Sequence, residues 1–188
     1  SKAYTVITTN GHIDEFTRFV NDSTILFAQV DKNDLSDPIA QENYKRMEEN
    51  FKILSQATDQ DGKPFRIVRM LLPKTTFTTL SPGDNVYEYI KMLDYKDGSK
   101  FPDGEKIKVI AALSYLNFLI TNKVIIGQRC WREGMPIELK LQDKIAEQIL
   151  QSVFPNRKVV MIDAFAINLG GGGVHCISMQ QPKSIGNK

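Results

Sequence analysis

Phe19-Val20-Asn21-Asp22-Ser23-Thr24-Ile25-Leu26-Phe27-Ala28-Gln29 lies over Phe118-Leu119-Ile120-Thr121-Asn122-Lys123-Val124-Ile125-Ile126-Gly127-Gln128 at a constant offset of 99 residues. Each copy holds an apolar run, a polar turn (Asn21-Asp22-Ser23 or Thr121-Asn122-Lys123) and a second apolar run, the pattern of a β-hairpin. A helix is expected after each hairpin. In the first copy Asp37 reads as an N-cap with Pro38 at the first helical position, and Tyr44, Met47, Phe51 and Leu54 recur at helical spacing. In the second, Pro136 opens a stretch where Leu141, Ile145, Ile149 and Val153 share a face, ending before Pro155-Asn156. A β-branched strand follows each helix, over 65–71 and over 157–162. The unit strand, strand, helix, strand is thus written twice, which gives an α/β fold. Repeated units of this size stack as neighbours, because neither can bury its apolar face alone.

Between the copies, residues 72–107 contain Pro73, Pro82-Gly83-Asp84, Asp97-Gly98 and Pro102-Asp103-Gly104. That density of turn formers predicts an irregular insertion or lid-like segment, within which Tyr87 to Leu93 reads as a short helix or strand. Just ahead of the second hairpin, Ser114-Tyr115-Leu116-Asn117-Phe118 alternates like a half-buried strand.

Two segments carry chemistry. Near the C-terminus, Leu169-Gly170-Gly171-Gly172-Gly173-Val174-His175-Cys176 strips four successive side chains from the approach to one thiol. Glycine weakens any packed element, so the run fits a nucleophilic cysteine whose substrate lies against bare backbone, and equally a flexible tail before a buried, inert Cys. Near the N-terminus, Thr8-Thr9-Asn10-Gly11-His12-Ile13-Asp14 places an imidazole and a carboxylate two apart. On an extended segment both point into one space. A thiol with a pKa of about 8.5 is mostly protonated at neutral pH, and a nearby imidazole is the usual activator. His12 as a turn histidine and Asp14 as a solvated charge remain open alternatives.

Gly11-His12-Ile13-Asp14-Glu15-Phe16-Thr17-Arg18-Phe19-Val20, Ser114 to Phe118, and Gly170 to Ile177 with Gln180-Gln181-Pro182 stand in one order along the chain. Together they resemble the agmatine deiminase and bacterial peptidylarginine deiminase family, of the guanidine-modifying pentein superfamily. The resemblance implies that residues 1–188 are the C-terminal portion of a deiminase catalytic domain. It also implies a partial α/β propeller of pentein-type ββαβ repeats, about two blades plus the start of a third that carries Cys176.

The chemistry implied by the resemblance is attack of the Cys176 thiolate on a guanidinium carbon of agmatine, arginine or a peptidyl arginine. His12 acts as acid and base, and Asp14 holds the guanidinium. Asn117, Gly171, Gly172 and Gly173 complete the substrate contacts. No cofactor and no metal is implied. Family members also hold the guanidinium with Trp-x-Arg-Asp and Glu-Gly-Gly segments, neither of which occurs here. A lone Asp14 would leave part of the cation unpaired, so the expected partner is a missing N-terminal half or a complementary chain. A catalytically incomplete binding or assembly module, and an amidinotransferase relative, are the competing readings.

Composition sets outer limits. A formal charge of +2, with charged residues at 24%, argues against nucleic acid or an anionic membrane as partner. There is no 18-residue apolar run for a membrane span. Ser1-Lys2-Ala3-Tyr4 does not resemble a secretory leader, and Cys130 and Cys176 make no disulfide framework, which together suggest the cytoplasm. Cys130, flanked by Arg129, Trp131 and Arg132, has basic neighbours that could lower its pKa, but nothing else converges on it. His175, one residue from Cys176, should point away from it on an extended segment.

Overall fold

The computed structural model describes residues 4–6, 11–95 and 98–181. Ser1-Lys2-Ala3, Thr8-Thr9-Asn10, Asp97 and Pro182, used in the sequence reading, lie outside them. In chain order the elements are β1 (Tyr4–Val6), β2 (Thr17–Phe19), β3 (Thr24–Gln29), α1 (Pro38–Leu54), β4 (Arg66–Leu71), β5 (Phe77–Leu80), α2 (Asn85–Lys91), β6 (Ile107–Ile110), β7 (Leu119–Ile120), β8 (Val124–Arg129), α3 (Ile137–Val153), β9 (Lys158–Asp163) and α4 (Phe165–Leu169).

The strands form three sheets, in the orders β2-β3-β4, β7-β8-β9 and β1-β6-β5. The first two are the repeated unit. Each has an antiparallel hairpin, and after a helix a third strand returns parallel on the far side of the middle strand. The offset read from sequence slips by one. Thr24 and Val124, which open the two middle strands, lie 100 positions apart. Phe19 pairs with Ile25 across five intervening residues, and Ile120 pairs with Ile125 across four. The slip has a physical cause: β3 is buried along nearly its whole length, and a run without alternation does not fix its own phase.

Helix α1 begins where its cap predicts, with Asp37 Oδ1 accepting from the Ile39 amide at 3.0 Å and Pro38 at the first position. Met47 is buried, with Phe51 and Leu54 packed against the core. Helix α3 is rotated relative to the expected face. Leu139, Ala146 and Leu150 are buried, whereas Leu141 is 56% and Ile145 44% exposed. The face is turned inward by polar groups as well, because Asp143 and Gln142 point into the protein and find partners there.

Residues 72–107 are not irregular throughout. They hold β5 and α2 and run into β6, and they have a small core of Leu80, Tyr87, Ile90, Ile107 and Val109. The turn formers punctuate short elements rather than replace them: the Tyr87 hydroxyl donates to the Pro102 carbonyl at 3.2 Å and accepts from the Gly104 amide at 2.9 Å. The third sheet draws β1 from about 100 positions earlier in the chain, parallel to β6 (Tyr4 opposite Lys108). Among the described residues, no strand or helix follows Cys176. Past α4 the described chain to residue 181 is turn and coil.

Ser114 to Phe118 is likewise not an alternating strand. All five residues are buried on every side, and β7 begins only at Leu119. The main core explains this, since Leu26, Phe27 and Met70 of the first unit pack with Tyr115, Leu116, Phe118 and Ile125 of the second. The segment runs between the two units. Cys130 is a core residue too, and burial pushes its thiol well up rather than down. Among the described residues no helix is long and apolar enough to cross a membrane.

Candidate active site

Residues 13–15 form one 3-10 turn, closed by the Glu15 amide on the His12 carbonyl at 3.2 Å and the Phe16 amide on the Ile13 carbonyl at 3.1 Å. The segment is therefore not extended, and the two-apart rule that paired His12 with Asp14 does not govern it. In a 3-10 turn successive side chains are about 120° apart, not on opposite faces as in a strand, so adjacent residues are free to line one space. Here they are Asp14 and Glu15, while His12 is exposed. Among the described residues the His12 ring makes no hydrogen bond to Asp14 or Cys176.

The second unit docks on this turn. Ser114 Oγ donates to the Glu15 carbonyl at 2.6 Å. Arg18 crosses the other way, its Nη1 donating to the carbonyls of Leu116 at 3.2 Å and Phe118 at 2.7 Å, its guanidinium 4.5 Å over the Phe118 ring. Between these struts lies Asn117, 0% exposed. Its Nδ2 is 2.8 Å from Glu15 Oε1, 3.1 Å from Asp14 Oδ2 and 3.1 Å from Cys176 Sγ, and its Oδ1 accepts from the His175 amide at 2.8 Å. A polar residue on an outer strand face would be solvated. Asn117 is a buried hub.

The glycine run places the thiol against that hub. Asn168, at the end of α4, donates from Nδ2 to the Gly172 carbonyl at 2.9 Å and to Gln128 Oε1 at 3.0 Å, and Gln128 donates to the Ser114 carbonyl. Gly171 has φ +91°, a conformation that side chains resist. A methyl group on Gly173 would collide with Asn117 Oδ1 and stand 2.7 Å from its Cγ, and one on Gly172 would stand 3.0 Å from Cys176 Cβ. Two of the glycines are bare because the site's own side chains occupy the space.

Cys176 is exposed, on a turn spanning residues 174–177. Its Sγ lies 3.5 Å from Asp14 Oδ2 and 3.8 Å from Glu15 Oε1. The turn also redirects His175. Its Nδ1 meets the same Asp14 Oδ2 at 2.7 Å, so the ring joins the cluster instead of facing away, as an extended segment would have required. Sequence reasoning assigned no role to Glu15 and set His175 behind the site. The available signal was the consecutive acid pair directly after a turn, which places both carboxylates together only if the turn is helical.

Electrostatics follow from this crowding. Partial burial opposes ionisation of Asp14, but hydrogen bonds from His175 and Cys176 outweigh it and hold the carboxyl below its usual range. Glu15 goes the other way. Burial, then the Asp14 charge beside it, push it up to about 7. The Cys176 thiol is raised by burial and by the two carboxylates, against hydrogen bonds from Gly173 and Asn117. The cluster thus presents acceptors, a thiol kept protonated in the absence of a cation, and an imidazole on one carboxylate. Asp14, Glu15 and Cys176 offer one donor atom each within 4.8 Å of one another, a spacing that can also hold a metal ion.

Comparison with known proteins gives this geometry relatives. Residues 2–182 match the family described as Porphyromonas-type peptidyl-arginine deiminase. The chain is 35% identical over 174 residues to an agmatine deiminase of Pseudomonas aeruginosa, which covers 93% of this chain and 41% of that protein. It is 36% identical to an agmatine deiminase of Stutzerimonas stutzeri over the same shares of the two chains. Among solved structures, the agmatine deiminase of Enterococcus faecalis superposes with a TM-score of 0.62 at 25% identity, covering 93% of this chain and 41% of that one. The chain therefore spans about two fifths of the length of the relatives it matches.

Proposed function

The chain belongs to the Porphyromonas-type peptidyl-arginine deiminase family, and on that premise we propose that it carries the thiol-bearing portion of a guanidine deiminase. The reaction converts agmatine or an arginine guanidinium to a ureido product and ammonia. The observation that carries this reading is the exposed Cys176 sulfur 3.5 Å from the Asp14 carboxylate, with the buried Asn117 amide 3.1 Å behind it.

In this reading Asp14 accepts guanidinium N–H groups and sets the planar cation face-on to sulfur. With the cation bound, the Cys176 thiol passes its proton to an imidazole, the thiolate forms a bond to the guanidinium carbon, and the imidazolium returns that proton to the departing ammonia as the C–N bond breaks. The same imidazole then takes a proton from water, whose oxygen attacks the thiouronium carbon. Loss of sulfur from that adduct returns the thiolate and leaves the ureido group. A positioned acid-base group contributes roughly 10² to 10⁴ in rate. His12 is the imidazole the resemblance assigns. The 2.7 Å bond from His175 to Asp14 supports His175 as the second candidate.

The length left over in the relatives gives room for further guanidinium contacts from an N-terminal half or a complementary chain, arranged with this one as blades of a propeller. A catalytically incomplete binding module and an amidino-transfer relative use the same residues. Incubating the natural gene product with agmatine, free arginine and an arginine peptide, and measuring ammonia and ureido product, separates these outcomes. Cys176→Ala is expected to abolish ammonia release, and undiminished release by that variant overturns the nucleophile assignment. Loss of turnover in His12→Ala but not His175→Ala assigns the acid-base role to His12, and the reverse assigns it to His175.

A further inference from the structure

Asp14 Oδ2 receives both His175 Nδ1 at 2.7 Å and Asn117 Nδ2 at 3.1 Å, so its two lone-pair directions are already engaged. Glu15 Oε1 stands almost as near to sulfur, 3.8 Å against 3.5 Å, and receives Asn117 Nδ2 at 2.8 Å. Among the described residues Glu15 forms no ion pair. The nearby cation, Arg18, directs its guanidinium to the carbonyls of Leu116 and Phe118 instead. A half-buried carboxylate beside a second carboxylate and without a cation is a costly arrangement, and an incoming cation relieves it. The turn brings this about by placing consecutive acids in one space.

We infer that Glu15 is a specificity-determining residue that receives the cationic group of the substrate beside the Cys176 thiol, sharing with Asp14 a charge that one carboxylate would leave partly unpaired. The inference rests on the guanidine reading above and adds the second carboxylate to it from within this chain. Burial and the Asp14 charge, which hold Glu15 up to about 7, agree with a group waiting for a positive neighbour.

The test uses two alkylating reagents with the same leaving group, 2-chloroacetamidine, a planar cation, and 2-chloroacetamide, which is neutral. Rate constants for modification of Cys176, located by peptide mass spectrometry, are measured with EDTA present at about pH 8.5, where Glu15 is ionised. The amidine-to-amide ratio, divided by the same ratio for free cysteine, is expected to exceed about tenfold in the wild type, and Glu15→Gln is expected to lower it about tenfold. A wild-type ratio no higher than that of free cysteine overturns the guanidine reading itself. A high ratio left unchanged by Glu15→Gln overturns only the role of Glu15. If Glu15→Gln also loses reaction with the neutral amide, the turn has collapsed and Glu15→Asp decides, because it keeps the charge but withdraws it by one methylene. For that variant a ratio below the wild type supports the inference, and an unchanged one overturns it.

Discussion

The two ββαβ units share a backbone and divide the chemistry between them. In the first, the residues ahead of the hairpin form an acidic 3-10 turn that is partly open to solvent. In the second, the residues ahead of the hairpin are buried throughout and supply donors, Ser114 Oγ to the turn and Asn117 Nδ2 to both acids and the thiol. Acceptors stand where a cationic ligand can reach them, and donors where it cannot. The strands and helices are common to both units, and the difference is confined to a few residues at the approach to the first strand of each. A repeated frame becomes a site by diverging at those ends.

The comparison breaks most visibly at Asn117. Asn117→Asp keeps the shape but removes both N–H donors and sets a third carboxylate against Asp14 and Glu15. The variant is expected to lose about 3 kcal/mol in urea denaturation at neutral pH. Wild-type stability would show that the second unit's donors are not what holds the acidic turn. A smaller effect is expected at Gly173, where a side chain must displace Asn117. Gly173→Ala should cost about 2 kcal/mol by the same measurement, and Gly170→Ala less, since a methyl there meets only the Ile167 carbonyl at 3.2 Å.

The first unit should show itself in the pH dependence of stability, with the smallest effect. Glu15 is raised from 4.5 to about 7 in the folded protein, so the unfolded chain releases that proton first. Stability from this group is present below about 4.5 and lost as pH rises to about 7, by about 1 kcal/mol once solvent screening is allowed for. Asp14, which is lowered, contributes oppositely and only at acid pH, and the Cys176 thiol, which is raised, titrates above the window. Thermal melts of Glu15→Gln are expected to lack the slope between about 4.5 and 7.

Much of this was legible in the residues. The doubled hairpin and the Asp37 cap follow from apolar runs and a capping pair, the family resemblance implies that the Asp14 segment lies near Cys176, and the structure contains all three. What was lost depends on tertiary packing. The offset slipped because β3 is buried without alternation, and the α3 face turned because Asp143 accepts from Tyr115, Cys130 and Trp131 inside the protein. Ser114 to Phe118 imitated an alternating strand while lying buried between two units. His12 and Asp14 were paired by a rule for extended chain that a single 3-10 turn suspends. The same turn hid Glu15, whose importance comes from a neighbour 102 residues away.

The Asn117 amide has two hydrogens, and three acceptors stand within their reach. That amide cannot serve Asp14, Glu15 and Cys176 each with its own hydrogen at once. Beyond the Gly173 amide, charge arriving on sulfur draws on an Asn117 hydrogen shared with the carboxylates, so ionising the thiol and freeing an acid are coupled. A visitor bringing N–H groups of its own ends the shortage.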